Sequence, residues 1–120
     1  MKREAFGALL RSLRETQGTR MSALARHLDV SAAYLSDVEQ GRRAPLARAK
    51  IIKAAKFLNI DPLPLITASL EWSGEFTLSV QHGTKRAREV GASLAFRWES
   101  LNENDLEAIA KILTRREVAM

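Results

Sequence analysis

A chain of 120 residues, 46% apolar and 28% charged, has room for one small folded domain, or a small domain and an appendage, and is too apolar to read as a disordered tail. It contains no cysteine, which excludes a disulfide framework, a thiolate metal site and a thiol nucleophile, and fits a cytoplasmic setting. Its net charge of +5 is unevenly placed: Met1 to Trp72 carries 12 Lys and Arg against 7 Asp and Glu, whereas Ser73 to Met120 carries 7 of each, so the excess that suits a polyanion lies in the first part.

Ala5 to Thr16 reads as a helix, with Phe6, Leu9, Leu10 and Leu13 at i, i+3, i+4 and i+7 and Arg11 and Arg14 flanking the stripe. Gln17-Gly18 ends it. From Met21 to Arg43 two short helical patterns follow closely, Leu24, Ala25 and Leu28 in the first and Tyr34, Leu35 and Val38 in the second. Between them, Asp29 is a residue type that tolerates a left-handed backbone, Val30 can plug the angle, and Ser31 is a good N-cap for the next helix. Gly41 can end that helix. Helix, short turn, helix is the helix-turn-helix arrangement. Gly41 to Pro45 is then a basic turn containing Arg42 and Arg43. Ala47, Ile51, Ala54, Ala55 and Leu58 keep helical spacing, and Asp61-Pro62 opens a further helix bearing Leu65, Ile66, Ser69 and Leu70.

On Leu24-Ala25, Leu28, Val30-Ser31, Tyr34-Leu35-Ser36, Val38-Glu39, Gly41 and Pro45 the chain resembles the DNA-binding domain of the Cro and phage lambda-repressor family, the XRE class of regulators. The resemblance implies a five-helix domain, double-stranded DNA as partner, and a recognition helix from about Ser31 to Gln40 that presents Ala32, Ala33, Ser36 and Asp37 to the major groove. It also implies an ion pair between Arg14 and Glu39. Phosphates are expected at Tyr34, Gln40, Arg42 and Arg43, and more weakly at Arg11 and a Lys2-Arg3 arm. Two departures stand out. Asp29 replaces a frequent Gly, and Met21 replaces a Gln that commonly bonds a phosphate in relatives.

Beyond Glu71 the pattern changes. Phe76-Thr77-Leu78-Ser79-Val80 alternates apolar and polar, the period of a half-buried strand, between turns at Ser73-Gly74 and His82-Gly83. Thr84 to Glu99 is helical, with Ala87, Val90, Leu94 and Trp98 on one face; Asn102 to Asp105 caps a last helix bearing Leu106, Ile109, Ala110 and Leu113. Arg115 to Met120 reads as a frayed tail. One strand cannot satisfy its own backbone groups, so antiparallel pairing with a second copy is expected, with Phe76, Leu78, Val80, Leu94, Trp98, Leu106 and Ile109 forming the dimer contact. The expected architecture is mainly α: a lambda-repressor-like five-helix domain over residues 1–70, then a strand-helix-helix dimerisation region over 71–120.

No constellation for catalysis is visible, and no enzyme activity or cofactor is expected. His27 and His82 have no second ligand at metal spacing, and Ser31 and Ser36 have no His/Asp relay. Glu103, Asp105 and Glu107 suit a helix start through the macrodipole, and Trp72 and Trp98 read as packing anchors. Lys85, Arg86 and Arg88 open a helix against its dipole, as a solvated turn or as a second contact to flanking DNA. No apolar run approaches spanning length and the start does not read as a signal peptide, so no membrane partner is expected. The leading expectation is a homodimeric repressor on a palindromic operator. The alternatives are an antitoxin-type autoregulator that also binds a toxin, and a protein-interaction module with no specific DNA site.

Overall fold

Apolar positions at helical spacing become seven α-helices among the described residues. In the N-terminal part these are α1 (Lys2–Thr16), α2 (Met21–His27), α3 (Ala32–Glu39), α4 (Arg48–Leu58) and α5 (Leu63–Ser73); α6 (Lys85–Arg97) and α7 (Glu103–Val118) follow, with one 3₁₀ turn over Trp98–Ser100. The structure, a computed structural model, describes residues 2–75 and 77–118, with side chains described over 5–75 and 77–115. The chain divides into two units, Met1–Phe76 and Thr77–Met120.

In the first unit, α1 packs on α3 and α5, α2 packs on α3 and α4, and α4 packs on α5. Phe6 and Leu10 of α1, Leu24 of α2, Leu35 and Val38 of α3, Ile51 of α4 and Leu65 of α5 meet in one core with Leu28 and Leu46. Each is essentially inaccessible to water, so each side chain contributes roughly 1.5–3 kcal/mol from burial alone. Between α2 and α3 the chain reverses through Asp29 at φ 59°, and the Val30 amide donates to the Ala25 carbonyl at 3.0 Å. Val30 packs against the core, closing the angle of the two helices. The Asp61 carboxylate accepts from the Leu63 amide at 3.0 Å, and α5 begins at Leu63, after Pro62 rather than on it.

The second unit has helices with no buried side chain among the described residues. Thr84 caps α6 by accepting from the Ala87 amide at 3.0 Å. Asn102 and Asp105 form a reciprocal box, the Asp105 amide donating to Asn102 Oδ1 at 2.8 Å and the Asn102 amide donating to Asp105 Oδ2 at 3.0 Å. Val80 lies beside Gly91, and the Gly83 amide donates to the Val80 carbonyl at 3.1 Å. Leu94, Leu106 and Ile109 are half-buried, while Leu78, Val90, Trp98 and Leu113 are exposed; no described residue of this unit is buried.

Three expectations are corrected here. The β-strand at 76–80 is absent: Phe76 lies outside the described residues, Thr77 to Val80 have no strand conformation, and no strand occurs among the described residues. Alternation alone cannot hold an extended segment whose amides and carbonyls have no neighbouring strand, and the Val80 carbonyl is used by a turn instead. The fold is therefore mainly helical over the described residues, and the strand-to-strand dimer contact through Phe76, Leu78 and Val80 goes with the strand. Secondly, α7 runs on past Arg115 to Val118, with the Arg115 cation near its C-terminal end where the dipole favours it; residues 119–120 of the expected tail lie outside the described residues. Thirdly, Trp72 and Trp98, expected as packing anchors, are only partly covered, at 39% and 48% exposed.

Candidate nucleic-acid interface

Three features set the position of α3. The first is a side-chain clamp. Arg14, at the end of α1, donates from Nε to Glu39 Oε2 at 2.8 Å and from Nη2 to Glu39 Oε1 at 3.0 Å, and from Nη1 to the Thr19 carbonyl at 2.9 Å. One guanidinium thus joins α1, the turn before α2 and the last residue of α3. Both partners are buried, and the hydrogen bonds to Glu39 hold the Arg14 pKa above its ordinary value against the opposing effect of burial. The second is close approach. A Cβ on Gly7 would sit 2.4 Å from the Val38 and Glu39 carbonyl oxygens, so only glycine lets α1 cross α3 at this distance. The third is capping. Ser31 Oγ accepts from the Tyr34 amide at 3.0 Å, and at the other end Gly41, at φ 77°, lets the Arg42 amide donate back to the Asp37 carbonyl at 2.8 Å.

With Leu35, Val38 and Glu39 turned inward, α3 leaves Ala32, Ala33 and Gln40 exposed and Tyr34, Ser36 and Asp37 half-buried. Ser31, Arg42 and Arg43 are exposed at its two ends. The structure also links residues expected from the sequence to have separate tasks. Gln40 Nε2 donates to Ser36 Oγ at 3.1 Å, and Arg42 Nη1 donates to Asp37 Oδ1 at 3.4 Å. Arg43 lies over the Tyr34 ring, 5.6 Å from its centroid, so the two adjacent arginines serve different neighbours. Spacing carried a partial signal: Ser36 and Gln40 are i, i+4 on a helix, whereas Asp37 and Arg42 meet only because the glycine turn folds back.

Other residues fall away from this set or at its edge. Arg11 is exposed on α1 and paired with Glu15 at 3.4 Å. The backbone of Lys2 and Arg3 is already helical, in the first turn of α1, and their side chains lie outside the described ones. Arg20, which sequence reasoning passed over, is the exposed residue preceding α2, beside Met21. Lys50 is turned inward, donating to the Leu28 carbonyl at 3.0 Å and closing the end of α2. His27 is exposed and stacks on Phe57 at 4.3 Å between ring centroids. In the second unit, Arg86 pairs with Glu89 at 3.3 Å and Arg88 Nη1 donates to the Gly83 carbonyl at 2.8 Å, which accounts for two of the cations opening α6. Among the described residues no group of three or more His, Cys, Asp or Glu could hold a metal ion, and no helix is long and apolar enough to cross a membrane.

Residues 5–65, which hold α2, α3 and the whole of the Arg14–Glu39 clamp, match the family model described as "Helix-turn-helix domain". The chain belongs to that family, in its XRE-type form. It is thereby a DNA-binding transcription regulator of helix-turn-helix type. Among solved structures it is similar to the clp gene regulator ClgR from C. glutamicum, at 29% identity and a TM-score of 0.50, covering 66% of this chain and 97% of that one. A second structure of ClgR, from Corynebacterium glutamicum, matches with a TM-score of 0.51 over 82% of this chain and 94% of that one; at 23% identity it is a likeness of fold. The restriction-modification controller protein C.AhdI from Aeromonas hydrophila is 33% identical, covering 52% of this chain and 94% of that one, with a TM-score of 0.48. No curated protein sequence matches the chain.

Proposed function

We propose that this helix-turn-helix protein is a sequence-specific repressor that binds a palindromic operator as a homodimer. The observation that carries the reading is the exposed face of α3, held by the Arg14–Glu39 clamp and flanked by Arg42 and Arg43. In this reading Ala32 and Ala33 offer methyl groups to thymine methyls and Asp37 reads a base edge, with Ser31 and Ser36 beside them. Tyr34, Gln40, Arg42, Arg43 and Arg11 bind or approach phosphates, together with Lys2 and Arg3. Few long polar side chains face the groove, so DNA shape supplies part of the selectivity. Repression follows by occlusion of RNA polymerase in the cytoplasm.

Dimerisation is assigned to the second unit, Thr77–Met120. Leu94, Trp98, Leu106 and Ile109 lie on helices with no described buried residue, and an apolar face of this kind gains most by meeting another. The same face supports the alternative of a toxin or other protein partner. Selection of bound fragments from genomic DNA tests the proposal. An inverted repeat with half-site centres about 34 Å apart, or a multiple of that, is expected. Failure to enrich any motif, with random DNA bound and released by salt, would overturn it.

A further inference from the structure

We propose that Arg42, besides approaching a phosphate, is a specificity residue that acts through Asp37. The inference rests on α3 reading DNA. Within that frame, a carboxylate on the recognition face is a liability, because it approaches a polyanion. Asp37 is 36% exposed in its side chain and its Oδ1 accepts from Arg42 Nη1 at 3.4 Å, so the charge is offset before DNA arrives. The contact is built by the backbone. Gly41 in the left-handed region and the Arg42 amide bond to the Asp37 carbonyl place Arg42 over the last turn of α3. The adjacent arginine cannot substitute for it, since Arg43 lies over the Tyr34 ring. No other described cation is within ion-pair distance of Asp37.

The pair divides its own chemistry. Asp37 Oδ2 keeps its lone pairs for a cytosine amino group, and the remaining Arg42 N–H groups stay available to a guanine edge or a phosphate. Arg42 also limits where the carboxylate can point, so removing Arg42 alters which base Asp37 reads as well as how tightly the protein binds. A residue that only neutralised a phosphate would weaken all sequences alike.

The test is a double-mutant cycle on the full chain, with Arg42→Ala, Asp37→Asn and the double variant titrated against the duplex enriched by the wild type. Each variant is also put through base selection, and Arg43→Ala serves as the control. Arg42→Ala is expected to cost roughly tenfold to thirtyfold in the wild-type background, because it leaves an uncompensated carboxylate at the interface. With Asp37→Asn present the same change should cost only about twofold to threefold, and Arg42→Ala and Asp37→Asn should alter selection at the same position of each half-site. Additive losses, or a selection profile for Arg42→Ala identical to wild type, would overturn the proposal and return Arg42 to the phosphates. If the wild type enriches no sequence at all, the reading of α3 as a DNA reader fails first, and the pair is then only a helix-end ion pair. Circular dichroism melts on all five proteins exclude a loss that comes from unfolding.

Discussion

Leu24, Leu28, Leu35 and Ile51 in the first unit are 0–1% exposed, whereas Val90, Ile112 and Leu113 in the second remain more than half exposed and Phe96 is 85% exposed. Both regions are helical and both place apolar residues at helical spacing. The difference lies in how many directions the stripes come from. Five helices enclose a volume, so every stripe finds another facing it; α6 and α7 are two helices with no described buried residue between them. Regular spacing is thus sufficient for a helix with an apolar face and says nothing about what covers that face. Folding of the first unit is supplied from within, and the second unit is where a partner would add most stability.

The comparison sharpens most at the clamp. Glu39→Ala strands the buried Arg14 cation with the Thr19 carbonyl as its remaining partner, and should cost roughly 3–5 kcal/mol. A thermal melt should show the midpoint falling by more than about 10 °C, with DNA affinity falling alongside. Leaving the melt unchanged would mean that the pair holds nothing together. Next is truncation of apolar side chains in the two units. Leu35→Ala should cost roughly 2–5 kcal/mol at any protein concentration. Leu113→Ala, at 66% exposure, should cost less than about 0.5 kcal/mol in dilute solution and should weaken self-association measured by sedimentation. Equal losses from the two changes in dilute protein would break the contrast. The smallest effects belong to the caps. Ser31→Ala should cost about 1 kcal/mol globally because α3 is locked into the core, while Thr84→Ala should appear as local fraying of α6 in amide exchange.

Legibility follows the same division. The helices of the first unit could be read because Phe6, Leu10, Leu24, Leu35 and Ile51 recur at helical spacing between strong stop signals, and the motif residues from Leu24 to Pro45 resemble a known pattern. Asp29 could be read as a turn residue because few types accept positive φ. The strand could not be judged locally: alternation at 76–80 needed a second strand, and nothing within five residues reports whether one exists. The Asp37–Arg42 contact was hidden for a different reason. It depends on a left-handed turn at Gly41 that brings together side chains five positions apart, a distance at which helix rules make no pair. The Gly7 crossing was equally silent, since a glycine inside a helix reads as a weakness until the carbonyls of α3 are seen against it.

A face of α3 that reads duplex DNA must tell one sequence from another. Titrating the full chain, between 50 and 200 mM salt, against the enriched duplex and a scrambled duplex of equal length tests it most directly. A preference of at least about 10³-fold for the enriched sequence is expected at physiological salt. A slope near −7 in log affinity against log salt is expected as well, from about eight phosphates neutralised per dimer. Equal affinity for the two duplexes at every salt concentration would contradict this role of α3.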